Sequence, residues 1–404
     1  MLSCAPWRRG PAAGHFDVLV YYYLSARAAG GRKISGRMGQ AVTRQQEQFE
    51  DPPRPAATSG QGAPHALFED STALQAALAR FLSADAGNSV HIERLQKFPA
   101  GFSWITYGVK LRGYPRSDDM ILRIGPPYGL FAPYSALPEF ESLSALEGSG
   151  VPVPRAFAAS DDSSILGAPF FLCERVTGDT PLPWGGGGGA MDDARRKSLA
   201  IDFVDALAAL HRFDWQHSKL ASWADGITAD NAADRQLDYW WDRFQRWALR
   251  SHPMAHRTFA WLRRNKPRAS RVTLVHGDYR LGNFLERDGR ITAILDWELV
   301  HLGDPIEDLG WAFLPQYRGG TRMVCQLADE DAFLSRYQDK AGYRVDRDAL
   351  RFYIVFSLLK LALTHMAAAR CFEDGLFNDM RMPAMATQIA PVFRQIAKIM
   401  ERGS

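Results

Sequence analysis

Apolar and polar positions follow no sustained period over residues 1–64, then settle into two regimes. In "DSTALQAALARFLSA" (70–84) the apolar residues fall at helical spacing behind Asp70 or Ser71, either of which suits an N-cap. Three runs, 90–98, 103–113 and 119–125, read as successive strands. "LPEFESLSALEGSG" (137–150) predicts a helix ended by glycine, "VPVPRAFAAS" is extended by its prolines, and "APFFLCERV" (168–176) is a buried strand. Residues 65–176 thus predict a small β-rich lobe. Beyond it the period becomes helical over 194–213, 234–251, 254–265, 305–314, 329–341, 347–370 and 383–401, so 177–404 reads as a helical lobe. The stripe Trp240, Trp241, Phe244, Trp247 reads as core packing, and Arg243, Arg246 and Arg250, spaced i, i+3, i+7, as a solvated face.

Composition narrows the class. Apolar residues make 46% and charged residues 23%, ordinary for a globular chain, and a net charge of +3 argues for no nucleic-acid partner. Residues 1–64 are rich in Pro, Gly, Gln and Ser, which predicts a disordered tail, and Met38 offers a second start within it. Arg8 and Arg9 precede the apolar "FDVLVYYYL" (16–24), but no clear small-residue cleavage site follows, so no signal peptide is expected. No run approaches the roughly 18 consecutive apolar residues of a membrane helix, so no membrane partner is expected. The four cysteines, Cys4, Cys173, Cys325 and Cys371, are widely spaced, which suits a reducing, cytoplasmic location better than a disulfide or zinc framework. Gly185–Gly189 lack the strand before and the Lys-Ser/Thr after that a phosphate cradle needs, and read as a flexible loop.

The chemistry concentrates in "LVHGDYRLGNFLERDGRITAILDWE" (274–298). Asp288-Gly289 is a hairpin turn between two apolar runs. Folding that hairpin brings Asp296, leaving the second strand, beside Asn283, entering the first. Their oxygens suit a hard cation such as Mg²⁺. Asp278 then lies further along the same loop, placed to accept a proton from a hydroxyl. Taken singly, Asp278 and Asn283 are also what turns use, and Asp296 what helix caps use. Jointly they fit catalysis, because His276-x-Asp278-x₄-Asn283 is the register of a kinase catalytic loop, with Asp as base and Asn as metal ligand. His276 reads as a brace for the loop.

The sequence departs from protein kinases in three ways. Gly277 replaces the loop arginine, Asp296-Trp297-Glu298 stands for Asp-Phe-Gly, and "HLGDPIEDLGW" (301–311) follows where Ala-Pro-Glu would come. "HGDYRLGN", "ILDWE" and "GDPIEDL", in that order, resemble the aminoglycoside phosphotransferase family of small-molecule kinases. The resemblance runs from about Val90 to the C-terminus. It implies an α/β, two-lobed, protein-kinase-like fold with ATP and Mg²⁺ between the lobes, and phosphoryl transfer to a hydroxyl on a small-molecule acceptor. It also implies roles in the first lobe. Gly101 and Ser103 fall on the phosphate-covering hairpin, where Trp104 replaces a common asparagine. Arg123 falls on the phosphate-binding cation, with Glu139, or else Glu141, as its helix partner. The backbone of Glu174 and Val176 falls on the adenine contact. Asp308 falls on a residue that braces the catalytic loop.

The acceptor is open between classes. "YWWDRFQRW" and the 296–311 segment are most similar to the branch associated with acyl-CoA dehydrogenases, which implies a hydroxyacyl compound first. An aminoglycoside or other small alcohol comes second, since acidic clusters for a polycation are few outside the loop. A nucleotide-binding pseudokinase scaffold is a third expectation, for which Trp104 is the one favourable residue.

Overall fold

The computed structural model describes residues 70–98, 103–181, 192–376 and 379–401. The expected N-terminal tail, Gly101 and the five-glycine run lie outside them. Asp70 caps helix α1 (Ser71–Ala86) by accepting the N–H groups of Thr72 and Ala73 at 2.9 and 3.1 Å. Gly87 closes the helix in the left-handed conformation.

Strands β1 (His91–Lys97), β2 (Ile105–Arg112), β3 (Asp119–Ile124), β4 (Ala156–Ser160) and β5 (Phe170–Glu174) form one antiparallel sheet in the order β1-β2-β3-β5-β4. Helices α2 (Leu137–Leu146) and α3 (Ser163–Leu166) are inserted between β3 and β5. The two-residue period of β3 sorts its side chains. Met120, Leu122 and Ile124 are fully buried against a core that includes Leu74, Leu78 and Leu82 of α1. Ile121 and Arg123 emerge on the other face, toward the second lobe. Trp104, Phe171 and Cys173 on that face join a core that continues through the helices.

The second lobe contains α4 (Asp193–Arg212), α5 (Ala232–Trp247), α6 (Pro253–Arg264), α7 (Ile306–Ala312), α8 (Glu330–Ala341), α9 (Arg347–Glu373), α10 (Arg381–Ala386) and α11 (Ile389–Glu401). Helix α9 is the axis. It has the length and hydropathy of a membrane-crossing helix, yet most of it is buried inside the lobe, against α7, α10 and α11. Trp240, Phe244 and Trp247 of α5 are core residues, as their stripe predicts.

Two small ladders carry the chemistry-bearing segment. β6 (Thr273–Val275) pairs with β9 (His301–Gly303), and β7 (Phe284–Arg287) pairs with β8 (Arg290–Ile294). The turn of the second ladder is the expected Asp288-Gly289, with φ of 53° and 76°, the double left-handed geometry that such a two-residue hairpin needs. One expectation is corrected: 383–401 is two helices. Pro391 has no N–H to give the carbonyl of Thr387, so α10 stops and α11 restarts with that proline in its first turn.

Candidate active site

The loop after β6 is fixed from below. Asp308, fully buried on α7, accepts the N–H groups of His276 and Gly277, both at 2.8 Å, and its Oδ2 also meets His211 Nε2 at 3.1 Å. Burial pushes its pKa up, but the bonds from His211 and the charge and N–H of His276 outweigh that and hold it below the usual carboxylate range. Asp308 is therefore the brace that the sequence suggests. From α9, buried Lys360 donates to the Gly277 carbonyl at 3.0 Å and to Glu307 at 2.8 Å. Gly277 itself sits at φ +84°, and a Cβ there would lie 2.5 Å from the Leu299 carbonyl oxygen, so no arginine fits this position.

His276 is fully buried. Its Nδ1 accepts the Asp278 N–H at 3.1 Å, which places the ring proton on Nε2, donated to the Leu295 carbonyl at 2.9 Å. Burial lowers its pKa, so the ring stays neutral with both nitrogens occupied. That is a brace, as expected, with no nitrogen left to act as a base.

Asp278 is held from three directions. Oδ1 accepts Arg280 Nε at 3.0 Å and the Trp311 indole N–H, and Oδ2 accepts Asn283 Nδ2 at 2.7 Å. The same Asn283 amide donates to the Asp278 carbonyl at 3.0 Å, so its Oδ1 turns away from Asp278. The hairpin closes as predicted: Leu295 N–H donates to the Asn283 carbonyl at 2.8 Å, which seats Asp296 beside Asn283. Asp296 adopts φ 67°, a left-handed conformation that short polar residues tolerate best.

Arg123 joins the lobes. Its guanidinium donates to Glu139 Oε2 at 2.9 Å and to Asp296 Oδ1 at 3.1 Å. Burial opposes its charge, but Glu139 and Asp296, with Glu298 behind them, more than restore it. Glu141 instead accepts the Trp223 indole at 2.7 Å, so Glu139 is the partner. Glu139 is pushed up to about 7 by burial first and then by Asp296. Glu298 is raised as well, by burial and then Asp296, while a bond from Ser103 resists. Glu139 Oε1 and Glu298 Oε2 are buried without a hydrogen-bond partner. Three carboxylates thus face one guanidinium, a surplus of hard oxygen donors that fits a divalent cation. Among the described residues no three His, Cys, Asp or Glu side chains form a metal cage. Mg²⁺ bound through one or two side chains and phosphate oxygens needs none.

The remaining expected residues are placed as follows. Ser103 meets Glu298. Trp104 is buried, with its ring 5.5 Å from the Arg123 guanidinium and 5.7 Å from Phe171, so it is spent in the core. Glu174 gives its N–H to the Arg155 carbonyl at 2.8 Å, which leaves only its carbonyl for an adenine. Val176 follows two residues past the end of β5.

Sequence reasoning missed Arg280, Trp311, Lys360, His211 and Glu298. Arg280, Glu298 and Trp311 lie inside motifs already singled out; Lys360 and His211 arrive through tertiary packing. The solvated-face reading of α5 also needs correction. Arg246 and Arg250 are exposed, but Arg243 is half-buried, 3.5 Å above the Tyr239 ring and 5.9 Å from that of Trp247.

The two lobes, the braced loop and the Arg123 bridge define a kinase-like protein. Residues 94–353 match the model of the phosphotransferase enzyme family, and the chain belongs to that family. It is 34% identical over 251 residues to mouse (Mus musculus) acyl-CoA dehydrogenase family member 10, covering 60% of this chain and 22% of the relative. It is 29% identical over 248 residues to human (Homo sapiens) acyl-CoA dehydrogenase family member 11, covering 59% and 30%. The chain therefore spans about a quarter to a third of the length of these curated relatives. Among solved structures, one from Ralstonia eutropha JMP134, described as a candidate aminoglycoside phosphotransferase, superposes with a TM-score of 0.65 at 24% identity, over 81% of this chain and 98% of its own. Aminoglycoside phosphotransferase APH(4)-Ia superposes with a TM-score of 0.53 at 17% identity, over 81% and 99%. A variant of that enzyme has been solved with AMP-PNP and hygromycin B, at a TM-score of 0.50 over the same shares and the same identity. These likenesses support the α/β, kinase-like fold.

Proposed function

We propose that the chain is an ATP-dependent small-molecule kinase that moves the γ-phosphoryl group to an acceptor hydroxyl. One observation carries this reading: a carboxylate, Asp278, held by three side-chain donors beside an inter-lobe Arg123–Glu139–Asp296 bridge. Oδ1 of Asp278 is occupied by Arg280 and Trp311. Oδ2, with one donor from Asn283, keeps a lone pair for the acceptor proton. The acceptor oxygen forms a bond to the γ-phosphorus as the bond to the β–γ bridging oxygen breaks. The proton passes to Asp278, and ADP leaves. Arg123 steadies the phosphates. Ser103 covers them, and the Glu174 carbonyl and Val176 N–H read the adenine. Asn283 Oδ1 and Asp296 would hold Mg²⁺, which, when bound, neutralises the charge developing on the phosphates.

The acceptor we favour is a hydroxyacyl compound. The similarity to acyl-CoA dehydrogenase family members supports it. Against a polycation, the acids at the start of α5 are already matched: Asp230 by Arg268 at 2.7 Å, Asp238 by Arg263 at 2.7 Å, and Asp234 by Lys266. The buried Trp104 leaves the scaffold reading without its one support. Cys173, Cys325 and Cys371 are buried free thiols, consistent with the cytoplasmic location we propose. The test is an acceptor screen that follows Mg²⁺-dependent ADP release with hydroxyacyl compounds, aminoglycosides and simple alcohols. Release above the no-acceptor rate for hydroxyacyl compounds supports the reading. Release for none of them, with ATP bound, defeats it.

A further inference from the structure

Arg243 is out of place as a structural residue. It is half-buried, its Nε is shielded from solvent with no hydrogen-bond acceptor, and no carboxylate lies within ion-pair distance of it among the described residues. The neighbouring cations differ. Arg263, Lys266 and Arg268 each have a carboxylate, and Arg246 reaches the Asp242 carbonyl at 3.4 Å. A desolvated guanidinium without a counter-charge is costly, and aromatic faces recover only part of that cost. Burial is the largest influence and disfavours the ionised state of Arg243; Tyr239 opposes it, Arg246 one turn away adds to it, and Asp242 offsets it only in part.

The location gives the vacancy a meaning. Tyr239, under Arg243, lies within electrostatic reach of Glu298 and Glu307. Trp240, the next residue, stands 5.4 Å from the Lys360 ammonium, which also lies 5.0 Å from the ring of Trp311, the indole that donates to Asp278. Phe131, on the segment between β3 and α2, packs on Trp240 and Trp247 at 6.5 and 6.1 Å. Helix α5 is therefore linked to Asp278 through two side chains, Lys360 and Trp311, and Arg243 sits on the same helix on an aromatic shelf.

We propose that Arg243, seated on Tyr239 and Trp247, is an anion-reading subsite of the acceptor pocket. It grips a carboxylate or phosphate on the same molecule whose hydroxyl is phosphorylated. The inference rests on the kinase reading for the hydroxyl and deepens it: the acceptor is an anionic alcohol. A planar, forked donor suits either anion, and Tyr239 and Trp247 hold its plane.

The test is calorimetric titration with one hydroxyalkyl chain carrying a terminal carboxylate, phosphate monoester, methyl ester or trimethylammonium group. The proteins are wild type, Arg243→Lys and Arg243→Met. Wild type should bind one or both anions roughly 10- to 100-fold more tightly than the neutral ester, the range expected of charge-assisted hydrogen bonds. Preference for the phosphate points to phosphorylated carriers, and preference for the carboxylate to free hydroxy acids. Arg243→Lys should keep part of the preference and Arg243→Met none, with ATP affinity and neutral-ester binding unchanged. Equal binding across the series, no binding by any member, or a preference that survives in Arg243→Met overturns the proposal. If the anions bind through Arg243 but none is phosphorylated in the presence of Mg²⁺-ATP, the subsite stands and the kinase reading falls.

Discussion

At the scale of single residues, the proposed roles of Asp278 and Asp296 separate the proton from the phosphates, and variants can tell them apart. Asp278→Asn keeps the shape of the loop because the amide is nearly isosteric. It should lower turnover by on the order of 10²–10⁴-fold with little change in the Michaelis constants, since the lost interaction matters chiefly in the transition state. Nucleotide titration should find this variant near wild type and Asp296→Ala unable to bind nucleotide in a Mg²⁺-dependent way. Equal loss in both would contradict the assigned roles. Lys360 makes a different prediction. Removing it as Lys360→Met leaves the buried Glu307 carboxylate with His301 alone, where Lys360 and His301 together hold its pKa below the usual value against the effect of burial. Denaturant unfolding should register a loss of about 3–5 kcal/mol, the usual cost of breaking a buried pair from one side. Adding Glu307→Gln should return much of it. Asp278, Asp296 and Lys360 together show where sequence reading ends. Asp278 and Asp296 stand in one continuous motif whose spacing carries the geometry, whereas Lys360 comes from the middle of an apolar helix, where nothing local marks its contact with the Gly277 carbonyl.

At the scale of elements, legibility follows length and period. The long helices and β1–β3 were readable, because many residues vote for one period. β6 and β9, three residues each, cast too few votes; they are strands because each completes the other. β4 was read only as extended, since its ladder with β5 is a long-range pairing. The break between α10 and α11 was written in Pro391 and was missed by reading the apolar period alone. The β7–β8 hairpin was the most local of all, and it supports a test. Replacing Gly289 forces a Cβ into the left-handed φ and to 3.2 Å from Ser198 Cβ. Gly289→Ala should cost about 1 kcal/mol or more in thermal or denaturant unfolding. If the turn sets the position of Asp296, the variant's affinity for Mg²⁺-nucleotide should fall as well.

At the scale of the whole molecule, acid should loosen the fold through α9. His365 is buried with its Nδ1 unpartnered, and burial lowers its pKa to about 4. The unfolded chain takes up this proton near the ordinary value of about 6.5. Stability from the neutral ring is therefore complete above that pH and is lost as pH falls toward 4, by on the order of 3 kcal/mol. Asp304, raised to about 7 by burial, acts in the opposite sense, so only the difference between wild type and variant isolates the histidine. The stability of wild type relative to His365→Leu should fall as pH drops from 6.5 to 4, measured by urea titration of both proteins across the range. The N-terminal segment calls for a second measurement. Its Pro-, Gly-, Gln- and Ser-rich composition is the basis of the expectation that it adds little to the fold. A shortened chain beginning at Ala66 should keep its melting temperature and ATP affinity.

The loop after β6 is tied down by Asp308 from α7 and Lys360 from α9, while the surface proposed to meet the acceptor belongs to α5 and the segment after β3. Mutations can therefore accumulate on the α5 face without loosening the loop that performs the chemistry. A lineage built this way can change its diet while keeping its machinery, and its members should diverge fastest at positions such as 239, 243 and 246.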